Sequence, residues 1–179
     1  MNEKTSLTRI SFTGLFAALL TVLSQIQIPM PSGVPVTMQT FAVALVGFSL
    51  GWKDGLMSVF IYLLLGAAGL PVFAGFQGGI GSLAGPTGGF LWGFLFLAAG
   101  CGTPRKKSFF LRSTSRSAGL ILCHILGIFQ YAAVTGADIL QSFLLVSAPY
   151  LMKDVLSVTA AFFAAKALKR SLLAAGIKI

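Results

Sequence analysis

The segment LPVFAGFQGGIGSLAGPTGGF, residues 70–90, contains seven of the chain's 21 glycines and no charged residue, and apolar segments flank it on both sides. Glycine permits positive φ and lets the backbone approach a ligand closely. Within a membrane, irregular backbone is tolerated only where protein covers it or where it lines a cavity. The segment is therefore either the wall of a ligand pocket or a plain turn between helices that pack through small residues at Gly81, Gly85 and Gly89.

The composition favours lipid over water as the surrounding solvent. Of the 179 residues 56% are hydrophobic and only 9% are charged, and the mean hydropathy is +0.90. A soluble domain carries about 25% charged residues. The length fits one membrane domain, residues 1–179, with five to seven spans of about 20 residues each. The two cysteines give neither a disulfide framework nor metal-ligand spacing.

Two long uncharged windows define the helices. Residues 55–104 are uncharged and would span about 75 Å as one helix, so Pro71 and the glycines must interrupt it. Residues 10–52 are uncharged as well, and the prolines of IPMPSGVPVT (28–37) break that window. We therefore expect an all-α integral membrane protein, a bundle of six transmembrane helices with an external glycine-rich loop. The helices are predicted at about 8–28, 38–51, 54–69, 88–103, 116–136 and 149–170.

The basic residues set the orientation of the six helices. Lysine and arginine collect on the cytoplasmic side of a membrane. With both termini cytoplasmic, every one of the 13 basic residues except Lys153 falls on that side, including the block in the loop 104–116. The net charge of +9 is thus explained by a bacterial inner (cytoplasmic) membrane rather than by nucleic acid. The apolar segment 137–148 is expected to be a re-entrant or interfacial piece on the outer side.

Few ionisable residues lie at membrane depth, and such residues indicate function by default. Asp154 either accepts N–H donors from a ligand or complements the dipole of its helix N-terminus. Lys153 either extends to the outer interface or reaches a ligand carboxylate. His124 is expected nearer the cytoplasmic end, too far from Asp154 to cooperate, which argues against an intramembrane enzyme. No catalytic residue and no metal site are expected.

Uncharged polar residues are candidates at the outer mouth. Tyr131 either contacts a ligand or belongs to the interfacial aromatic belt. Thr37, Gln39 and Gln77 either contact a ligand or cap the backbone. On the first helix, Gly14 with Ala18 and Ala17 with Thr21 form a smooth face, suited either to a partner helix or to packing within the bundle.

Three motifs carry a resemblance to a known family. VPVTMQTFAV (34–43), GLPVFAGFQGG (69–79) and GPTGGFLWGF (85–94) occur in this order, with a weaker match at PYLMKD (149–154). Together they resemble the BioY family, the biotin-specific substrate-capture (S) components of energy-coupling factor (ECF) transporters. The resemblance covers nearly the whole chain. It implies six membrane helices, high-affinity biotin binding for biotin uptake, and no enzymatic activity of the chain itself.

The resemblance also implies a site and partners. The external loops and last helices would line the biotin pocket, with the ureido N–H groups on Asp154; the residues expected there are Asp154, Lys153, Gln77, Gly78, Gly79, Phe73, Gly75, Thr37, Gln39, Tyr131, Thr87 and Phe90. The partners would be a transmembrane coupling protein, docked on Gly14, Ala17, Ala18 and Thr21, and two cytoplasmic ATPase subunits. No phosphate-binding loop motif occurs in the chain, so ATP would be used by those ATPases and no cofactor is expected here.

One position departs from the family pattern. The family usually has a lysine three residues after the aspartate, where this chain has Ser157, and a lysine stands at Lys153 instead. We expect Lys153 to serve the valerate carboxylate of biotin. The change also leaves two alternatives, an S component for another small vitamin and an intramembrane structural protein.

Overall fold

The computed structural model describes residues 3–104 and 107–177, with side chains from residue 7 onward. Arg105 and Lys106 of the predicted basic loop, like Met1, Asn2, Lys178 and Ile179, lie outside the described residues. Within the described ranges the chain forms seven α-helices and a β-hairpin. In chain order the elements are α1 (Glu3–Ser24), β1 (Gln27–Ile28), β2 (Val36–Thr37), α2 (Gln39–Ala67), α3 (Ile80–Ala84), α4 (Gly88–Cys101), α5 (Phe109–Thr135), α6 (Ile139–Val146) and α7 (Ala148–Ala174).

The proline-rich segment forms a short β-hairpin after α1. Gln27 pairs with Thr37 and Ile28 with Val36, antiparallel. Gly33 lies in the connecting loop with φ of +78°, a conformation that glycine adopts without steric cost. The first helix therefore ends at Ser24 rather than at residue 28 as predicted, because the chain leaves helical geometry to pair with β2.

The predicted second and third helices are the two arms of α2. The helix is interrupted at Gly51, which has φ 82° and ψ 178°. Gln39 Nε2 donates to the Tyr62 hydroxyl at 2.8 Å, although 23 residues of straight helix would separate them by about 35 Å. The arms, 39–50 and 52–67, therefore fold back on each other. Glycines permit their close approach, since a Cβ on Gly55 would lie 3.1 Å from Gly47 Cα.

The core surrounds α2, which packs against α1, α4 and α7. Val43, Val46, Val59, Tyr62 and Leu97 are essentially inaccessible to solvent. Many large apolar side chains on the outer faces of the helices are exposed instead, among them Ile10, Val22, Phe129 and Phe163. An exposed apolar perimeter of this extent indicates contact with lipid.

Three helices are long and apolar enough to cross a membrane, namely α1 over Leu7–Ser24, α2 and α5. The consecutive helices α6 and α7 satisfy the same criterion as a pair bent by 47°. The segment predicted as re-entrant or interfacial is thus helical over α6, and Asp138 caps it by accepting from Leu140 N at 3.0 Å. The described residues therefore contain seven α-helices rather than the six predicted, because α3 and α6 are additional short helices and the two predicted helices of α2 form one element.

The boundaries of α5 differ from the prediction because basic residues do not end a helix. Ser108 caps the helix by accepting from Leu111 N at 3.2 Å, a common way to satisfy a first-turn amide. Arg112 and Arg116 consequently lie on α5 rather than in the predicted loop 104–116. The helix therefore starts nearly two turns earlier than predicted, at the end that the sequence predicts to be cytoplasmic.

Helices α4 and α5 approach each other through glycines. A Cβ on Gly93 would lie 2.5 Å from Cys123 Cα, and one on Gly89 would lie 2.1 Å from the Leu126 carbonyl oxygen. Such contacts require a small residue at each position. Part of the glycine-rich segment, Gly88 and Gly89, therefore serves helix packing, as the second interpretation of the segment predicted.

The substitution Gly93→Ala is expected to destabilise the fold by about 1–3 kcal/mol, because the new methyl group overlaps the α5 backbone and forces the helices apart. Thermal unfolding in detergent measures the loss. The control is Gly14→Ala on α1, where a Cβ meets nothing within 4 Å; there alanine is expected to be neutral or slightly stabilising. Equal unfolding temperatures for the two variants would contradict the packing described here.

Candidate ligand-binding site

A pocket of about 260 Å³ opens at the end of the bundle that carries the β-hairpin. We call it the hairpin pocket. Its walls come from the hairpin, the loop after α2, the first turns of α2, α4 and α7, the end of α6 and the middle of α5. The lining residues are Gln27, Pro29, Met30, Gly33, Val34, Pro35, Thr37, Gln39, Thr40, Phe73, Ala74, Gly75, Gln77, Thr87, Phe90, Leu91, Phe94, Leu120, Cys123, Val146, Tyr150, Lys153 and Asp154. Mostly apolar walls with a few convergent polar groups are typical of sites for small organic ligands.

Asp154 provides the buried charge of the pocket, and only 6% of the residue is exposed. Its Oδ1 forms an ion pair with Lys153, and its Oδ2 lies 3.3 Å from His124 Nε2. His124 Nδ1 is in turn 2.9 Å from the Ser147 hydroxyl. These contacts hold the carboxylate in the pocket wall. They also give the buried charge the partners that it needs away from water.

The expected separation of His124 from Asp154 is wrong. The sequence predicts a start of α5 near residue 116, with His124 close to the cytoplasmic end. Because α5 begins at Phe109, His124 lies about four turns into the helix. Asp154 lies nearly two turns into α7, which starts at Ala148. The two side chains therefore meet inside the bundle, and His124 is a site residue that the sequence analysis dismissed.

Lys153 reaches the pocket although adjacent helical residues point in different directions. Its Nζ donates to the Thr37 carbonyl at 3.2 Å and pairs with Asp154. About 30% of the lysine side chain is exposed. The flexible stem thus carries the ammonium group across the gap between α7 and β2. The pocket therefore presents a carboxylate and an ammonium group side by side.

Thr37 and Gln39 form a polar cluster at the start of α2. The Thr37 hydroxyl accepts from Gln39 N at 3.2 Å and donates to Gln39 Oε1 at 3.0 Å. Gln39 Nε2 donates to Tyr62, as described above. Thr37 therefore satisfies a backbone amide, as one interpretation predicted, and both residues line the pocket, where contact with a ligand stays a prediction.

The last turn of α1 fixes the loop that closes the pocket. The Ser24 hydroxyl donates to the Val72 carbonyl at 2.6 Å. Gln25 Nε2 donates to the carbonyl of Phe73 at 3.1 Å, and Gln25 Oε1 accepts from Phe76 N at 2.9 Å. The sequence analysis missed both residues. Their signal was a pair of adjacent polar residues where the apolar second half of α1 ends.

Aromatic packing and a strained turn define the rest of this loop. The Phe73 ring lies edge-on to Tyr62 at 5.3 Å, in the space left by the absent side chain of Gly66. Gly75 has φ of +70°, and Gln77 closes the turn through paired backbone contacts with Phe73. Phe73, Gly75 and Gln77 all line the pocket, as the sequence predicted for a loop that forms its wall.

Three of the twelve predicted contact residues lie outside the pocket lining. Gly78 packs on the backbone, since a Cβ there would lie 2.3 Å from the Leu70 carbonyl oxygen. Gly79 has φ of +89° and donates its N–H to the Gly66 carbonyl at 2.6 Å. Tyr131 donates to the Ser32 carbonyl at 3.1 Å and so supports the hairpin. The other nine line the pocket: Asp154, Lys153, Gln77, Phe73, Gly75, Thr37, Gln39, Thr87 and Phe90.

Other groups hold the pocket walls and were not found from the sequence. The Tyr150 hydroxyl donates to the Val34 carbonyl at 2.5 Å, which ties α7 to the hairpin. Gln130 Nε2 donates to the Leu83 and Gly85 carbonyls at 2.7 and 2.9 Å. Tyr150 stands one helical turn before Asp154, a spacing that places both on one face and was available as a signal.

The predicted docking residues on α1 divide between two faces. Gly14 and Ala18 are exposed, four residues apart. Ala17 is buried in the bundle at 2% exposure, and the half-buried Thr21 donates its hydroxyl to the Ala17 carbonyl at 3.1 Å. Only the Gly14 and Ala18 pair therefore offers a smooth outer surface to another helix.

These features define a class, multi-pass helical membrane proteins with an open pocket at one end of the helix bundle. The BioY family model matches residues 1–174, and the chain belongs to the BioY family. It is 37% identical over 160 residues to the probable biotin transporter BioY of Pyrococcus horikoshii, covering 89% of this chain and 95% of that one. It is 40% identical over 159 residues to the biotin transporter BioY of Thermotoga maritima, covering 88% and 93%. The family consists of transporter proteins, not enzymes.

A solved structure shares the fold. It is the S-component for biotin from an ECF-type ABC transporter, with a TM-score of 0.83, 23% sequence identity, and coverage of 95% of each chain. The arrangement of helices found here is thus that of a known S component.

Proposed function

We propose that this chain is the biotin-binding membrane subunit of a biotin uptake system, normally working with an ECF energy-coupling module. The observation that carries the proposal is the pairing of Asp154 and Lys153 in the hairpin pocket of a BioY-family chain. Biotin has a neutral ureido head with two N–H donors, an apolar thiophane ring and an anionic valerate tail. A carboxylate, aromatic walls and an ammonium group match these three parts in turn.

The ureido group binds at Asp154. Oδ1 of this carboxylate is buried and, apart from the ion pair with Lys153, has no hydrogen-bond partner among the described residues. A buried acceptor without a full set of donors is costly, so ligand N–H groups gain by reaching it. The rings of Phe73, Phe90 and Phe94 then cover the thiophane ring.

The valerate carboxylate binds at Lys153. This lysine lines the pocket, whereas Ser157, at the position of the family lysine, does not. Ligand entry then exchanges the contact between Lys153 and Asp154 for one salt bridge to the tail and one set of hydrogen bonds to the head. Because the head and the tail lie at opposite ends of biotin, the flexible stem of Lys153 must carry its ammonium group away from Asp154 to reach the tail. Asp154 keeps its contact with His124 and gains the hydrogen bonds of the neutral head.

The membrane arrangement is six crossings with both termini cytoplasmic, in a bacterial inner membrane. The crossing segments are α1, the two arms of α2, α4, α5 and α7. The hairpin pocket and the glycine-rich loop then face outward, and every described basic residue except Lys153 faces the cytoplasm, in agreement with the charge bias of membrane proteins.

Transport requires partners that hydrolyse ATP, since this chain has no phosphate-binding loop motif. These are a transmembrane coupling protein and two ATPase subunits. The coupling protein docks on the exposed Gly14 and Ala18 face of α1, where the small side chains allow close approach of a helix.

Substituting Ala18→Trp is expected to abolish most biotin uptake while leaving biotin affinity unchanged, because the bulky ring blocks the outer face and not the pocket. Uptake of labelled biotin by cells that express the full transporter and titration of the purified subunit measure the two properties. Phe129→Trp, at an exposed position of α5, is the matched control for a tryptophan in lipid. Normal uptake by Ala18→Trp would contradict docking at this face.

Thermal unfolding with vitamins tests the proposed function against its alternatives. A ligand that binds only the folded protein raises its unfolding temperature. Biotin is expected to do so, and thiamine and riboflavin are not. Stabilisation by another vitamin alone would instead support an S component of different specificity, which Ser157 leaves as the second candidate. No stabilisation by any of the three would favour an intramembrane structural protein.

A further inference from the structure

A second cavity, of about 510 Å³, lies at the opposite end of the bundle from the hairpin pocket. It is enclosed by the Gly51 break of α2, the end of α4, the start of α5 and the last turns of α7. Along α7, its Lys169 is 15 residues from Asp154, or about 22 Å. We call this second site the basic cavity. It shares no lining residue with the hairpin pocket.

Four cationic side chains line the basic cavity, Arg112 and Arg116 from α5 and Lys166 and Lys169 from α7. None of the acidic side chains that the structure describes is among its lining residues. Asp54 binds Arg9 through two contacts of 2.6 and 2.8 Å, Asp138 caps α6, and Asp154 lies in the hairpin pocket. Arg112 and Arg116, which line this cavity from α5, therefore present positive charge to an anion from outside the described residues.

Arg116 is held in place by two aromatic rings, and both arginines have hydrogen-bonding capacity left over. The Arg116 guanidinium lies between the rings of Phe48 and Phe162, 4.9 and 5.0 Å from their centres. Such stacking fixes the plane of the guanidinium. The Nε atoms of Arg112 and Arg116 are buried, and neither has a hydrogen-bond partner in the described part of the chain. Buried donors of this kind favour a ligand that brings acceptor oxygens.

We propose that the basic cavity binds the phosphate group of an anionic phospholipid. Guanidinium groups bind phosphate oxygens with matching geometry, and basic pockets between helices at this side of a membrane recognise lipid headgroups. The wall also contains Phe162, Leu173 and Ile177, which suit acyl chains better than a freely soluble anion. Phe109 and Phe110, both more than 75% exposed at the start of α5, lie at the depth where aromatic rings meet headgroups.

Lipid binding to the full-length protein in detergent tests this site. The probes are a short-chain phosphatidylglycerol, a phosphatidylcholine of the same chain length, and sodium phosphate against sodium chloride at equal ionic strength. The readouts are the shift in unfolding temperature and bound lipid counted by native mass spectrometry. The variants are Arg116→Gln and Arg112→Gln, and the matched control is Arg170→Gln, an exposed arginine of α7 outside the cavity.

Phosphatidylglycerol is expected to bind and stabilise the wild type and Arg170→Gln. The affinity of each cavity variant for phosphatidylglycerol is expected to fall about tenfold or more, because each variant loses one charge-assisted hydrogen bond. Competition by sodium phosphate would support the same site with free phosphate as a second source of the anion. Equal binding of the two lipids, or equal affinity of Arg170→Gln and both cavity variants for phosphatidylglycerol, would overturn the proposal. Native mass spectrometry counts lipid on folded protein only, so a destabilised variant still gives a decisive result.

Discussion

The variant Asp154→Asn is expected to bind biotin roughly 30- to 4,000-fold more weakly than the wild type, equivalent to about 2–5 kcal/mol. The carboxylate is 6% exposed, so the energy of its contacts is weakly screened. An asparagine of nearly equal volume keeps one acceptor, but its amide N–H₂ opposes the ureido donors. It also removes the charge that both Lys153 and His124 contact.

Isothermal titration of purified protein measures this loss. The matched control is Asp138→Asn, because Asp138 is exposed at the start of α6 and lines no part of the pocket. Its affinity for biotin is expected to equal that of the wild type, and asparagine keeps a side-chain oxygen that can cap α6. If Asp154→Asn bound biotin as tightly as Asp138→Asn, Asp154 would not be the acceptor for the ureido group.

The variant Lys153→Met is expected to lower the affinity for biotin roughly 10- to 150-fold, the value of a hydrogen bond to a charged group. Methionine keeps most of the stem and removes the ammonium group. Binding of biotin methyl ester, which has no tail charge, is expected to fall much less. Lys153→Met also removes the ion pair with Asp154, which affects the binding of the head. Because both ligands carry the same head, the ratio of their affinities reports the tail contact alone.

Two further variants sharpen the test of Lys153. Lys53→Met removes a lysine near the Gly51 break, at the other end of the bundle, and is expected to leave both affinities unchanged. Adding Ser157→Lys to Lys153→Met restores the cation at the position of the family lysine and is expected to recover part of the affinity for biotin. An unchanged ratio of biotin to ester affinity in Lys153→Met would show that the valerate carboxylate binds elsewhere.

The sequence was informative where a residue type acts through its own chemistry. The three prolines of residues 28–37 cannot lie in a helix interior, so the segments on either side were correctly predicted as helical. Asp154 and Lys153 drew attention because charge at membrane depth is costly. The motifs of the glycine-rich segment led to the BioY family, which the family model confirms.

The sequence was less informative where tertiary contacts determine a role. His124 contacts Asp154 across 30 residues of sequence, and no local pattern specifies which faces of α5 and α7 meet. Ser24 and Gln25 fix the pocket loop through residues almost 50 positions away, and no local pattern specifies such a contact. Ala17 and Ala18 are equally small, and only the packing of α1 on α2 determines which of them is buried.

The most direct test of the central claim is calorimetric titration of the detergent-solubilised wild-type protein with biotin, beside thiamine and riboflavin. The account predicts saturable binding of one biotin per chain and no heat of binding for the other two vitamins. Absence of biotin binding by protein that shows a cooperative unfolding transition would contradict the account, and the hairpin pocket would then belong to a different ligand.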